Sequence, residues 1–150
     1  MSKIERGYFG IGILQPKTSE NVGTLWRTAY QLGAAFIYTI GGRCANQPSD
    51  TTSTYRHIPL YTYQTFEQFK ELMPYSCPLI GIEFGGVALA TVVHPESAVY
   101  LLGSEDHGIS PDVQEKCDYI VQLAAVRQLS FNVAIAGALV MYDRLNKRSE

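Results

Sequence analysis

The apolar run Val99-Tyr100-Leu101-Leu102 stops at the polar stretch Gly103-Ser104-Glu105-Asp106-His107-Gly108. No other feature of the chain limits its fold so strongly. Glycines at both ends of such a stretch permit backbone geometries and close approaches that a Cβ would block. A strand ending in small polar residues is where open α/β sheets place their ligands. The same pattern returns at Tyr119-Ile120-Val121-Gln122-Leu123, after which Ser130-Phe131-Asn132 opens a long helix. The ligand pocket is therefore expected near the C-terminal part of the chain, between Tyr100 and Leu145, rather than after the first strand.

The remaining segments complete an alternating pattern. Tyr8 to Leu14 is a near-continuous apolar run, as in a strand covered on both faces. Thr18 or Ser19 can cap a following helix, whose apolar positions Val22, Leu25, Trp26, Ala29 and Leu32 keep helical spacing up to a stop at Gly33. Arg27 lies off that stripe, one turn after Gly23, where the absent side chain leaves room beside the guanidinium. Ala35 to Ile40 reads as a second strand ending at Gly41-Gly42. Residues Arg43 to Arg56 read as a long polar loop. Thr65 to Met73 has the spacing of a short amphipathic helix, and Pro78 to Phe84 that of a third strand ending at Gly85-Gly86. Val87 to Pro95 carries no clear pattern. Ser110-Pro111 can start a short helix through Lys116. The last helix, Ser130 to about Asn146, is apolar at Val133, Ala136, Gly137, Val140 and Met141, and again at Ile135, Leu139 and Tyr142. A helix apolar on most sides needs cover on most sides, and a partner subunit is the economical cover. Alternating strands and helices predict one α/β domain over residues 1–150, with a mostly parallel sheet.

Composition narrows the function classes. Only 17% of the 150 residues are charged, and the net charge is −2, which argues against a broad basic face for non-specific nucleic-acid binding but not against a local patch. Arg27, Arg43, Arg56 and Arg127 fall in or near glycine-rich or loop segments. No stretch approaches a membrane span, and the charged start Met1 to Arg6 lacks the apolar run of a secretory signal. Cys44, Cys77 and Cys117 lack paired spacing and read as free thiols of a reducing cytosol. His57, His94 and His107 are scattered without ligand spacing, so no metal is expected. Gly10-Ile11-Gly12 misses the third glycine of a dinucleotide fingerprint, no phosphate-loop motif is present, and Ser104 lacks the context of a hydrolase nucleophile. Arg27, the glycine-bounded turn and the Ser130-Phe131-Asn132 pair form three polar clusters expected at strand-to-helix junctions.

These clusters carry a resemblance. Asn21-Val22-Gly23 with Arg27-Thr28-Ala29 is similar to the first motif, N-x-G-x-x-x-R-x-A, of the SpoU/TrmH family of SPOUT-superfamily methyltransferases. Leu102 to Ser110 resembles its second motif, G-x-E-x-x-G-[LI], and Ser130 to Ala136 its third, S-[LMF]-N-V-x-x-A. The order and approximate spacing also agree. The resemblance implies a C-terminal trefoil knot, S-adenosylmethionine bound in it, a homodimer pairing the knotted faces, and methyl transfer to a ribose 2′-hydroxyl of tRNA or rRNA in the cytoplasm. It implies Arg27 as the activating residue, Asn21 and Glu105 as builders of the catalytic pocket, and Ser130 and Asn132 as residues orienting cofactor and substrate. Cofactor contacts would come mainly from backbone near Ile82, Gly103, Leu123, Leu129, Ser130 and Phe131. The chain departs from the family at Leu123-Ala124, where Ile-Pro is usual, and the loop Ala124 to Leu129 is one residue short. No separate RNA-binding domain is expected. The alternatives are a non-catalytic RNA-binding protein on the same fold, a base-nitrogen methyltransferase and a nucleotide-cofactor oxidoreductase.

Overall fold

The computed structural model describes residues 7–42, 57–127 and 129–148; the long loop expected at 43–56, with Cys44, Arg43 and Arg56, lies outside them. The strands are β1 (Tyr8–Leu14), β2 (Phe36–Ile40), β3 (Leu60–Tyr63), β4 (Leu79–Ala88), β5 (Ser97–Leu102) and β6 (Tyr119–Gln122). They form one sheet in the order β3-β2-β1-β5-β4-β6, and every neighbouring pair runs parallel. The helices are α1 (Ser19–Gln31), α2 (Phe66–Leu72), α3 (Pro111–Glu115) and α4 (Val133–Lys147). The α/β class with a mostly parallel sheet is as expected.

Side-chain alternation along the strands builds two cores. Phe9, Ile11 and Ile13 of β1, Ile37 of β2, Ile80 and Ile82 of β4 and Ala98, Tyr100 and Leu102 of β5 face α1 and α4. Leu14, Phe36, Tyr38, Ile40, Leu79, Val99 and Leu101 point the other way, toward Phe66 and Phe69 of α2. Tyr38 stacks on Phe69 with ring centroids 4.5 Å apart. Covering both faces explains why the central strands read as unbroken apolar runs. Thr18 caps α1, its hydroxyl accepting from the Asn21 amide at 3.3 Å, and Thr65 caps α2 in the same way.

Four sequence expectations need correction. Strand β3 was not anticipated, because Leu60-Tyr61-Thr62-Tyr63 sits at the sheet edge and is only half covered. Gly85-Gly86 does not end β4 but forms an irregularity inside it, between Ile82 and Val87. There Gly85 donates its amide to Gln122 Oε1 at 2.7 Å. Helix α4 begins at Val133 rather than Ser130, because Asn132 is its cap and accepts from the Ala134 and Ile135 amides at 2.9 and 3.2 Å. Arg27, finally, lies in the interior of α1 rather than at a strand-to-helix junction.

A buried polar knot ties the C-terminal half of α4 to the segment before β5. Arg144 is 2% exposed. It donates to Pro95 O at 2.7 Å, Glu96 O at 2.8 Å and the Tyr100 hydroxyl at 3.1 Å, with its guanidinium 4.7 Å over the Phe9 ring. His94, 4% exposed, donates Nε2–H to Asp143 Oδ2 at 2.7 Å and accepts from the Tyr100 hydroxyl at Nδ1, also at 2.7 Å. Lys147 closes the group on Asp143 at 2.9 Å.

Burial pushes the His94 imidazole below its ordinary value, and the pull of Asp143 offsets this only in part. On acidification the unfolded chain therefore takes up this proton first, so this share of stability is present above roughly pH 6.5 and lost as pH falls toward the folded value. The thermal midpoint should drop on going from about pH 7 to about pH 5, and less so in His94→Gln. An equal acid slope in the two proteins would remove His94 as its source.

Cys77 and Cys117 are free thiols. Burial raises Cys117 to about 11, which keeps it protonated and unreactive near neutrality. Among the described residues no helix is long and apolar enough to cross a membrane.

Candidate active site

The carboxyl ends of β4, β5 and β6 open on one cavity of about 290 Å³. Ile82 and Glu83 enter from β4, Leu102 and the turn Gly103 to Gly108 from β5, Gln122 and Leu123 from β6, and Ser130, Phe131, Val133 and Ala136 from the start of α4. This is the strand-end location at which open α/β sheets bind ligands. It stands in the late part of the chain, as the sequence predicts.

The turn after β5 is closed on itself. Ser104 and Gly108 exchange both backbone hydrogen bonds, at 3.1 and 2.9 Å, and the Ser104 hydroxyl accepts from the His107 amide at 3.0 Å. Gly103 touches the other end of the turn, since a Cβ there would stand 2.5 Å from the Gly108 carbonyl carbon. Gly108 adopts φ +64°, and its missing Cβ would meet Glu83 Oε2 at 2.2 Å. Neither position tolerates a side chain, one because of crowding and the other because of crowding and handedness together.

Three residues distant in sequence form a hydrogen-bonded chain at this cavity. Asn21, in the first turn of α1, donates Nδ2 to Glu105 Oε1 at 2.6 Å. Its Oδ1 accepts from Asn132 Nδ2 at 3.1 Å. The two contacts fix the orientation of the Asn21 amide, because each end has one possible role. Asn132 meanwhile spends its own oxygen on the cap of α4, so capping and site assembly use opposite ends of one side chain. Lys17 reaches Asp106 at 3.2 Å, but both groups are more than half exposed, where an ion pair contributes little.

The structure brings most of the sequence-derived site together. Asn21, Glu105 and Asn132 are linked, and Ser130, Ile82, Gly103, Leu123 and Phe131 line the cavity with Glu105. Leu129 does not line it and is 80% exposed. Arg27 is exposed on α1 and is likewise not among the lining residues. Glu83 and Gln122 line the cavity without having been singled out from sequence. Glu83 carried a readable signal, a carboxylate ending the otherwise apolar run from Leu79. Among the described residues the walls carry the carboxylates of Glu83, Glu105 and Asp106, the last paired with Lys17, and no lining lysine or arginine, a setting that favours a cationic ligand.

Comparison with known proteins bears on the fold and the family. An uncharacterized tRNA/rRNA methyltransferase of Archaeoglobus fulgidus is 26% identical over 128 residues, which cover 81% of this chain and 57% of that protein. The chain thus spans little more than half the length of that relative. The SpoU methyltransferase AviRb of Streptomyces viridochromogenes, solved in complex with AdoMet, superposes with a TM-score of 0.82 at 21% identity, over 97% of this chain and 60% of its own. A structure concerned with the 2-OH methylation of C/U34 on tRNA superposes with a TM-score of 0.78 at 20% identity, covering 95% of this chain and 97% of its own. At such identities the superpositions establish the fold alone. The model of the SpoU rRNA methylase family matches residues 9–142, nearly the whole chain, and on that match the chain belongs to the SpoU rRNA methylase family.

Proposed function

We propose that this chain transfers a methyl group from S-adenosylmethionine to a ribose 2′-hydroxyl of tRNA or rRNA. The observation that carries the reading is the Glu105–Asn21–Asn132 chain beside the glycine-bounded cavity, which joins all three motif regions in one place. The acidic walls suit a sulfonium cation. S-adenosylmethionine supplies an electrophilic methyl group when bound there. Ile82, Gly103, Leu123, Ser130 and Phe131 would hold it, with Leu129 joining from the adjoining loop.

A ribose hydroxyl is a weak nucleophile until its proton is lost or shared. Asn21, Glu105, Ser130 and Asn132 position the substrate, and close alignment supplies much of the acceleration in such transfers. Arg27, exposed on α1, offers a guanidinium that binds a phosphate and stabilises the developing alkoxide.

Dimerisation and a knotted C-terminal segment belong to the same reading. Ile135, Leu139 and Tyr142 are 52%, 41% and 57% exposed along one stripe of α4, an apolar surface that a second copy would cover. Light scattering at micromolar concentration should give a dimer mass, and Leu139→Glu should shift it toward monomer. A monomeric wild-type protein would count against this assembly.

The function itself is tested by incubating the protein with labelled S-adenosylmethionine and total tRNA or rRNA and mapping the product. Label on ribose 2′-oxygen supports the reading. Label on a base nitrogen replaces it with base methylation, and RNA binding without cofactor binding replaces it with a non-catalytic role.

A further inference from the structure

Glu83 is the one carboxylate of the cavity that both of its oxygens tie to backbone. Oε1 accepts from the Phe84 amide at 2.9 Å, and Oε2 accepts from the Ile109 amide at 2.7 Å. The first bond fixes the side chain to its own strand, and the second reaches across to the end of the turn after β5. The bond is partly buried, and Ile109 itself is 2% exposed. Gly108, beside it, leaves just enough room, since any Cβ there would collide with the same carboxylate oxygen.

The turn is closed internally by the paired Ser104–Gly108 backbone bonds and therefore moves as a unit. Among the described residues, Glu83 at the Ile109 amide and Asn21 at Glu105 tie that unit to other elements, and Gln114 of α3 donates to Ile109 O at 2.7 Å. The exposed Lys17–Asp106 contact adds little.

We infer that Glu83 is a positioning residue, whose carboxylate clamps the turn between Gly103 and Gly108 to the end of β4 and thereby sets Glu105 against Asn21. A carboxylate suits this task because two amide donors need two acceptors, and charge-assisted bonds of this kind are the stronger ones. Glutamine provides one acceptor oxygen and an NH2 group that cannot accept, so it satisfies one amide and leaves the other. Alanine satisfies neither. The clamp stands on hydrogen bonds alone; its consequence for turnover rests on the methyl-transfer reading above.

Hydrogen–deuterium exchange on the full chain, without cofactor or RNA, tests the clamp. In Glu83→Ala the amides from Ser104 to Ile109 should exchange roughly tenfold faster, the scale of one lost hydrogen bond. In Glu83→Gln the acceleration should be smaller, and in both variants β1 and β5 should exchange as in the wild type. In methyl-transfer assays Glu83→Ala should lower kcat about tenfold or more, and adding it to Glu105→Ala should cost nothing further, because both act through one contact. Unchanged exchange at Ile109, acceleration spread over the whole sheet, or additive losses in the double variant would each overturn the clamp. Local acceleration in a protein that methylates no RNA would uphold the clamp and overturn the proposed function, which separates the two failures.

Discussion

Replacing Arg27 by alanine should lower methyl transfer to RNA by roughly 10²–10³-fold or more, the loss seen when a donor to a developing negative charge is removed. Binding of S-adenosylmethionine should stay close to wild type. The reasons are positional. Arg27 lies off the stripe of Val22, Leu25, Trp26 and Ala29 that buries α1, so its removal leaves the core unchanged. It is also absent from the walls of the cavity, so the cofactor loses no contact within the subunit. A guanidinium is a poor proton acceptor but a durable cation, which suits phosphate binding and alkoxide stabilisation. Single-turnover methylation paired with calorimetric cofactor titration checks both halves. Normal turnover would remove Arg27 from the reaction, and lost cofactor binding would move it into the cofactor site. Arg27→Lys should recover only part of the rate, because lysine keeps the charge without the planar fork.

The second large effect falls on stability. Arg144→Leu should destabilise the fold by about 3–5 kcal/mol, which at this chain length lowers the melting temperature by roughly 10 °C. The substitution keeps apolar bulk beneath Phe9 but leaves Pro95 O without its Arg144 donor, removes one of two donors from Glu96 O, which keeps the Tyr8 amide, and takes a donor from the Tyr100 hydroxyl. Unpaired buried acceptors cost more than the net gain of the bonds they had formed. Thermal unfolding followed by circular dichroism measures the shift. A change below about 1 kcal/mol would mean that water replaces the guanidinium at those carbonyls. Helix α4 links the two ends of the molecule, with Asn132 capping it at the cavity and Arg144 anchoring it beyond the sheet. Loosening the anchor should therefore also reduce turnover at temperatures below unfolding.

Much of the frame is legible in the residues because it depends on local pattern. Strand β1 runs over Tyr8–Leu14 as read from its apolar run, α1 and α3 begin next to Thr18 and Ser110 as their capping residues predict, and α2 falls within the amphipathic stretch Thr65 to Met73. Strand β3 leaves no clear pattern in the sequence, because an edge strand is half exposed and need not be apolar. The glycine pair at Gly85-Gly86 reads as a terminator by composition. In the folded chain it is an irregularity, since Gly86 fits against the Ile120 backbone and Gly85 reaches Gln122. The buried role of Arg144 was equally hidden, because a charged residue near a helix end reads as solvated until its partners are known.

The sequence by itself determined which segments become strands and helices, that the sheet is mostly parallel, and that the polar chemistry gathers after β5 and before α4. Those facts follow from side-chain periodicity and turn chemistry, which act over a few residues. Only the tertiary structure decided that Asn21 meets both Glu105 and Asn132, 84 and 111 positions away, that Glu83 grips the turn after β5, and that α4 is moored by Arg144. Contacts of this kind depend on the order of strands in the sheet and on hydrogen bonds between distant ends, and no local pattern in the chain encodes them.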